Sequence, residues 1–157
     1  MIQRIQTIFL ALVVLLGILF SFLPILEFTA SETTYIMKAY NTYIRAEMTE
    51  IVTKNMGVGV LQGVVLLIAL VVIFLFKNRQ LQIKLAKLNI LLIAFQIAAI
   101  VMYSDVAMKT INTNLEEVVV SFKLAAIIPV LSLVLTYLAI HFIKKDEALV
   151  RAADRLR

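Results

Sequence analysis

The chain has 157 residues, enough for one domain, and 62% of them are hydrophobic while only 16% are charged. A soluble protein of this length has too little interior to hide that much apolar surface, so the composition indicates an integral membrane protein. The net charge of +5 fits the positive-inside bias of membrane proteins, and because no basic and aromatic residues are interleaved we expect no nucleic-acid partner.

Four apolar segments are long enough to cross the roughly 30 Å hydrocarbon core of a bilayer. They comprise residues 5–26, 56–76, 85–104 and 122–143. Each should be an α-helix, because a backbone exposed to lipid must satisfy its own hydrogen bonds. The sequence therefore predicts an all-α integral membrane protein: a four-transmembrane-helix bundle over residues 1–143, followed by a charged helical tail over residues 144–157.

The connection between the first two helices, residues 27–55, is too long for a simple link. Apolar residues recur in it every three to four positions, the spacing of an amphipathic helix that would lie on the outer membrane surface. A β-hairpin is the alternative, since threonine and tyrosine are frequent, although no Asn-Gly or Asp-Gly turn is present. In the later connection, residues 105–121, we find no motif.

Small and polar side chains form stripes on three of the predicted helices. Gly59 and Gly63 have the GxxxG spacing that lets two helix backbones approach closely. In the third helix Asn89, Gln96 and Tyr103 are seven residues apart, which places them on one face. The fourth helix carries small side chains at steps of three and four residues: Ala125, Pro129, Ser132, Thr136 and Ala139. We expect these stripes to mediate helix packing, because lipid-facing positions favour large apolar residues.

Gln62, Gln96 and Ser132 are predicted to lie at similar depths and to form a polar cluster in the bundle core. Such a cluster would join helices at about 0.6 kcal/mol per hydrogen bond; the alternative is a polar site for a small molecule or a lipid headgroup. Pro129 should kink the fourth helix unless its neighbours compensate. No acidic residue lies at mid-membrane and we find no catalytic or metal-ligand set, so we expect neither enzymatic activity nor a cofactor.

Ten of the fifteen Lys and Arg residues lie near the N-terminus, in the second connection or in the tail. The positive-inside rule assigns these regions to the cytoplasm, so we expect a multi-pass protein of the bacterial inner membrane with both termini inside. The second connection contains no acid, which predicts binding of anionic lipid headgroups. The residues concerned are Lys77, Arg79, Lys84 and Lys87.

The C-terminal tail, residues 144–157, cannot be explained by lipid burial, because eight of its fourteen residues are charged. Helix formers dominate it, and opposite charges stand three and four residues apart, which favours a solvated helix. This helix either only anchors the orientation of the chain, or docks onto a cytoplasmic partner or back onto the second connection. The candidate docking residues are Asp146, Glu147, Leu149, Arg151, Asp154, Arg155 and Arg157.

Both ends of the chain carry distinctive motifs. It opens with Met1-Ile-Gln-Arg-Ile-Gln-Thr7 and a first helix ending in Phe22-Leu-Pro24, and it closes with Lys145-Asp-Glu-Ala-Leu-Val-Arg151 and Asp154-Arg-Leu-Arg157. With these motifs and the four-helix spacing, the whole chain resembles a family of small bacterial membrane proteins catalogued as domain of unknown function four-two-nine-three. The resemblance implies a four-helix protein of the inner membrane of Gram-negative bacteria, without an assigned activity.

These features together predict a non-enzymatic accessory or assembly subunit of the inner membrane. Its charged cytoplasmic helix would contact a protein partner, or the chain would form a homo-oligomer. Two alternatives stay open. One is a small transporter or channel subunit that uses the polar core and Pro129. The other is a lipid- or quinone-binding subunit of a membrane enzyme complex.

Overall fold

The computed structural model describes residues 3–30, 33–46, 50–111 and 118–155, with the side chains of residues 3, 4 and 151–155 excepted. It contains four long helices: α1 (Gln3–Phe22), α2 (Met56–Phe74), α3 (Arg79–Ile111) and α4 (Ile128–Arg155). All four are long and apolar enough to cross a membrane. Each helix packs on the next along the chain and α4 packs on α1, so that α1 and α3 are diagonally opposite in the bundle.

An antiparallel sheet covers one end of this bundle. Its five strands are β1 (Leu26–Ala30), β2 (Thr33–Met37), β3 (Asn41–Ile44), β4 (Ile51–Lys54) and β5 (Val118–Phe122), in the spatial order β4-β3-β2-β1-β5. The first four strands come from the connection between α1 and α2, and β5 comes from the connection between α3 and α4. The predicted all-α fold is therefore wrong: the protein is mixed α/β, with a sheet built from both connections.

Strand β1 shows why this segment is not helical. Leu26, Phe28 and Ala30 are buried and alternate with the partly exposed Glu27 and Thr29, and this period of two is that of a half-buried strand. The buried face lies on the bundle, where its residues join a core cluster with Phe20 and Ile100 of the helices. The outer face carries the polar residues.

The amphipathic helix predicted over residues 27–55 is also wrong. Ile36 and Tyr43, which the helical spacing assigned to one helix face, are cross-strand partners on β2 and β3. A tight turn joins these strands, closed by the Lys38 amide donating to the Asn41 carbonyl at 2.9 Å. The hairpin alternative describes this segment better, although the turn contains no glycine and two further strands extend the sheet.

The helix ends differ from the predicted bounds at both ends of the bundle. The first segment, predicted over residues 5–26, ends as a helix at Phe22, because a residue preceding proline disfavours helical backbone and Pro24 follows closely. The third, predicted over residues 85–104, extends from Arg79 to Ile111. Asn78 caps its start, since its Oδ1 accepts a hydrogen bond from the Leu81 amide at 3.2 Å.

The fourth helix starts later than predicted and ends later as well. Residues up to Phe122 form β5, a short 3₁₀ turn spans Leu124–Ile127, and α4 starts at Ile128. Pro129 is thus the second residue of α4, where a missing N–H breaks no helical hydrogen bond. No kink at Pro129 is required, and the helix continues without interruption from the apolar segment through the tail to Arg155.

Candidate functional site

The two ends of the bundle are called here the sheet end, where the strands lie, and the terminal end, where α1 begins and α4 ends. Nearer the sheet end, two glutamines connect three helices. Gln96 Nε2 of α3 donates to Gln62 Oε1 of α2 at 2.7 Å, and Gln62 Nε2 donates to the Gly17 carbonyl of α1 at 3.0 Å. Both side chains are buried. The amides are used by protein partners, so this layer, named the glutamine layer, is suited to hold helices together.

Gly17 was not identified from the sequence, yet the glutamine layer depends on it. A Cβ atom at this position would lie 2.5 Å from Gln62 Nε2 and 3.2 Å from the Leu66 side chain. Only glycine therefore allows the glutamine amide to reach the α1 backbone. The available signal was a single glycine inside an otherwise apolar helix.

Ser132 lies in the bundle interior but does not join the glutamines. The structure shows no hydrogen bond between its hydroxyl and either Gln62 or Gln96, both of which it describes fully; the Ser132 carbonyl instead accepts from Thr136 Oγ1 at 2.7 Å. The whole stripe on the fourth segment is buried, namely Ala125, Pro129, Ser132, Thr136 and Ala139. These residues face the other helices rather than lipid.

The GxxxG pair of α2 does not bring two helices of this chain together. Gly59 receives the ring of Tyr40, which lies in the turn between β2 and β3. Gly63 is exposed, and a Cβ atom there would meet nothing within 4 Å. The glycine at position 59 therefore seats the sheet on the bundle.

Asn55, directly before α2, strengthens the same junction and was also missed. Its Nδ2 donates to Thr42 Oγ1 at 2.9 Å and to the Lys38 carbonyl at 3.2 Å. Its backbone amide donates to the Tyr40 carbonyl at 2.7 Å. Because Asn55 is fully buried, these bonds fix the β2–β3 hairpin against the start of α2.

On the outer face of the sheet, Glu27 pairs with two cations from separate connections. Its carboxylate lies 2.6 Å from Lys123 Nζ and 3.0 Å from Arg45 Nη1. The hydrogen bond from Lys123, together with the positive charges of both partners, lowers the pKa of Glu27 below its ordinary value. This ion-pair cluster ties the residue after β5 to β1 and to the end of β3.

Towards the terminal end, the bundle interior contains further polar side chains. Gln82 of α3 donates through Nε2 to the Val72 carbonyl of α2 at 2.9 Å, and its Oε1 has no hydrogen-bond partner. Among the described residues, Asn89, one heptad further along α3, has no hydrogen-bond partner at either amide atom, and neither has Gln6 Oε1 of α1. Gln82 was missed because the predicted helix began at residue 85.

Among the predicted docking residues whose side chains the structure describes, Asp146 is the one placed inside the protein. Its Oδ2 lies 3.1 Å from Arg79 Nη2, and the two side chains are only 12% and 20% exposed. This ion pair joins α4 to the first residue of α3. It realises the predicted contact between the tail and the second connection, and it leaves Asp146 unavailable to a partner.

The other predicted docking residues are distributed along the end of α4. Leu149 is 51% exposed and Val150 is also exposed, whereas Glu147 is partly buried. The side chains of Arg151, Asp154 and Arg155, and all of Arg157, lie outside the described residues. An open groove of about 690 Å³ separates the α4 extension from the α2–α3 turn, lined by Phe76, Lys77, Asn78, Arg79, Gln80, Glu147 and Val150.

The four residues predicted to bind headgroups are not equivalent in the structure. Lys77, Lys84 and Lys87 are exposed and carry no ion pair with any described acid. Arg79 is half-buried and paired with Asp146. Three of the four cations are therefore free to meet an anionic surface.

Comparison with known proteins places the chain in a family without giving it an activity. A search of curated proteins returned no significant match. A family model matches residues 2–156, nearly the whole chain, and the protein therefore belongs to the family described as Domain of unknown function (DUF4293).

Proposed function

We propose that this protein is a non-enzymatic accessory or assembly subunit of the bacterial inner membrane, and that it binds a cytoplasmic protein partner with its terminal end. In this arrangement both termini face the cytoplasm and the sheet lies on the opposite side of the membrane. The proposal concerns the exposed end of α4 and the adjoining groove.

The charge distribution supports this orientation. Ten of the fifteen basic residues belong to regions at the terminal end of the bundle, and cytoplasmic loops of membrane proteins carry such an excess. Lys144 and Lys145 are exposed on α4, close to the level of the Arg79–Asp146 ion pair. The membrane surface on this side is thus expected near residue 144 of α4.

The observation that carries the proposal is the continuity of α4. A helix of 28 residues is about 42 Å long at 1.5 Å per residue, which exceeds the roughly 30 Å apolar core of a bilayer. Asp146 fixes the extension to Arg79 of α3. The tail therefore leaves the membrane as an oriented helix, which costs a partner less conformational entropy than ordering a free tail would.

The groove beside the extension defines the chemistry of the partner. Phe76 and Val150 supply apolar surface, and Lys77 supplies a positive charge at the rim. Leu149 and Val150 lie beyond the basic residues 144 and 145, where lipid no longer covers them, and exposed apolar groups in that position favour protein contact. We therefore expect a cytoplasmic segment with an apolar anchor next to an acidic residue.

Lipid headgroups form a second, weaker interaction in this proposal. Each basic residue near an anionic membrane surface contributes roughly 1 kcal/mol of attraction, and Lys77, Lys84 and Lys87 are exposed for it. Arg79 is excluded because Asp146 already neutralises its charge. The headgroups would hold the terminal end at the surface and leave the groove to the partner.

The test is affinity purification of the full chain from the membranes of its bacterium in mild detergent, followed by mass spectrometry with quantification. A partner in stoichiometric amount should be retained by the wild type and by Val119→Asp, which adds the same charge at an exposed position of β5. The amount of this partner that is recovered should fall at least about tenfold with the Leu149→Asp variant. A chain that is recovered alone or only as a homo-oligomer, and that conducts solutes in liposomes, would refute the proposal.

A further inference from the structure

The terminal half of the bundle contains buried amide groups that its own side chains do not satisfy. Asn89 is 1% exposed, and neither Oδ1 nor Nδ2 makes a hydrogen bond with a described residue. Buried polar groups in proteins are nearly always hydrogen-bonded, and inside a membrane protein the cost of leaving them unpaired is higher still.

Two further amide oxygens are buried in the same part of the interior. Gln82 stands seven residues before Asn89 on the same face of α3, about 10 Å away along the helix axis. Gln6 of α1 lies one turn before Leu10, and Leu10 packs with Val72 and Ile83 next to Gln82. All three side chains are buried, and α1 and α3 are diagonally opposite in the bundle.

Water is close to this region in the membrane. Lys84 and Lys87 are exposed on the outside of the same α3 turns that carry Gln82 and Asn89 inside. A lysine ammonium on a membrane helix extends to the headgroup region. The aqueous boundary is therefore expected within about one or two helical turns of Asn89, so hydration of its amide does not require water to cross the hydrocarbon core.

We propose that Asn89, Gln82 and Gln6 line an internal hydration site in the terminal half of the bundle. More than one water molecule is needed, because a water donates at most two hydrogen bonds and Gln82 and Asn89 are about 10 Å apart along α3. These waters would donate to the three amide oxygens and accept from Asn89 Nδ2. Water is the occupant because it is the smallest molecule that both donates and accepts, and buried waters typically make about three hydrogen bonds to otherwise unsatisfied groups. The proposal is independent of the docking function.

The site ends at the glutamine layer. There Gln96 and Gln62 donate their amide hydrogens to protein oxygens, and Gln62 Oε1 accepts from Gln96. We expect hydration to end at this layer, because these two amides already donate to protein oxygens.

Solid-state NMR of the full chain in lipid bilayers tests this directly, by the rate of magnetisation transfer from water to side-chain amides. Gln96 is the matched control, because it is equally buried on the same face of α3 but donates to Gln62. Asn89→Leu and Gln96→Leu assign the two signals. We expect transfer to the Asn89 amide to be at least about threefold faster than to Gln96; equally slow transfer to both would overturn the proposal.

The thermal stability of Asn89→Leu provides a second measurement. If Asn89 were dry, leucine of similar size would remove an unpaired polar group and raise the unfolding midpoint, and that result would also overturn the proposal. If water hydrates Asn89, leucine leaves the neighbouring water with fewer hydrogen-bond partners, and the midpoint does not rise.

Discussion

At the scale of single residues, three glycines of the chain have different surroundings, although the spacing of Gly59 and Gly63 suggests one shared task. Gly17 lies against the Gln62 amide and Gly59 against the Tyr40 ring, and a Cβ atom at either position would clash with that side chain. Gly63 lies in open space on the surface of α2. The GxxxG spacing alone did not distinguish a packing glycine from a lipid-facing one, because spacing carries no information about the partner.

The Gly17→Val and Gly63→Val variants should therefore differ in stability. Valine at position 17 meets Gln62 and Leu66, so we expect the free energy of unfolding to fall by about 1–3 kcal/mol, the usual cost of overpacking. Valine at position 63 touches nothing and should change the free energy of unfolding by less than about 0.5 kcal/mol. Reversible unfolding in mixed micelles measures both.

A third variant shows whether a clash with the Gln62 amide causes the loss of stability expected for Gly17→Val. Adding Gln62→Ala to Gly17→Val removes the clashing group, so the double variant should be more stable than the sum of the two single losses predicts. Strictly additive losses, or equal effects of valine at positions 17 and 63, would contradict the role assigned to Gly17.

At the scale of elements, the ion pair between Arg79 and Asp146 links the extension of α4 to the start of α3. Two charges that are mostly excluded from water stabilise each other only while both are present. Removing one partner leaves the other buried without compensation, whereas replacing both by apolar residues of similar size removes the desolvation cost as well. The same pair fixes the orientation of the tail.

We therefore expect Asp146→Leu alone to lower the free energy of unfolding by about 3–5 kcal/mol, the loss typical of a broken buried pair. The double variant Arg79→Met with Asp146→Leu should recover most of this loss. Lys145→Leu is the control, because Lys145 is an exposed neighbour on α4. The same unfolding assay gives all values, and a double variant no better than Asp146→Leu would show that the pair is not the attachment.

The helical elements could be predicted from the sequence and the sheet could not. Hydrophobic length determines a membrane helix within one segment, and all four segments are helical. Strand β1 instead pairs with β5, so that Glu27 opposes Ser121, and no local pattern reports a partner that far along the chain. The apolar residues from Ile36 to Val52 were interpreted with a helical period because turns interrupt the strands of this connection.

The polar interior was predictable in part, because the depth of a residue along a helix follows from the sequence but the direction of its side chain does not. Helix rise is constant, so equal depth brought Gln62 and Gln96 together in the prediction and they are hydrogen-bonded in the structure. Depth does not determine where a short hydroxyl points, and Ser132 is separate. Asp146 continues the stripe of Ser132, Thr136, Ala139 and Ile143 at the same steps, so its burial was detectable from spacing; its pairing with Arg79 was not.

At the scale of the whole molecule, the sheet joins parts of the chain that the membrane would otherwise keep separate. The β1–β5 pairing and the ion pairs of Glu27 connect the first and third connections. Asn55 attaches the hairpin to α2. The sheet end is thus held by many tertiary bonds. The terminal end is held by an apolar cluster that includes Leu10 and Ile143 and by contacts that include the Arg79–Asp146 pair, and it exposes its basic surface.

This asymmetry allows a test of the orientation of the whole protein. The chain contains no cysteine, so single cysteines can be introduced without background labelling, and Val119→Cys on β5 and Lys77→Cys in the α2–α3 turn both change exposed residues. In intact spheroplasts a membrane-impermeant maleimide should label Val119→Cys and spare Lys77→Cys, since the positive-inside rule assigns the basic turn to the cytoplasm. After lysis both should be labelled, which controls for reactivity. Labelling of Lys77→Cys before lysis would reverse the topology and place the groove beside α4 where no cytoplasmic partner could reach it.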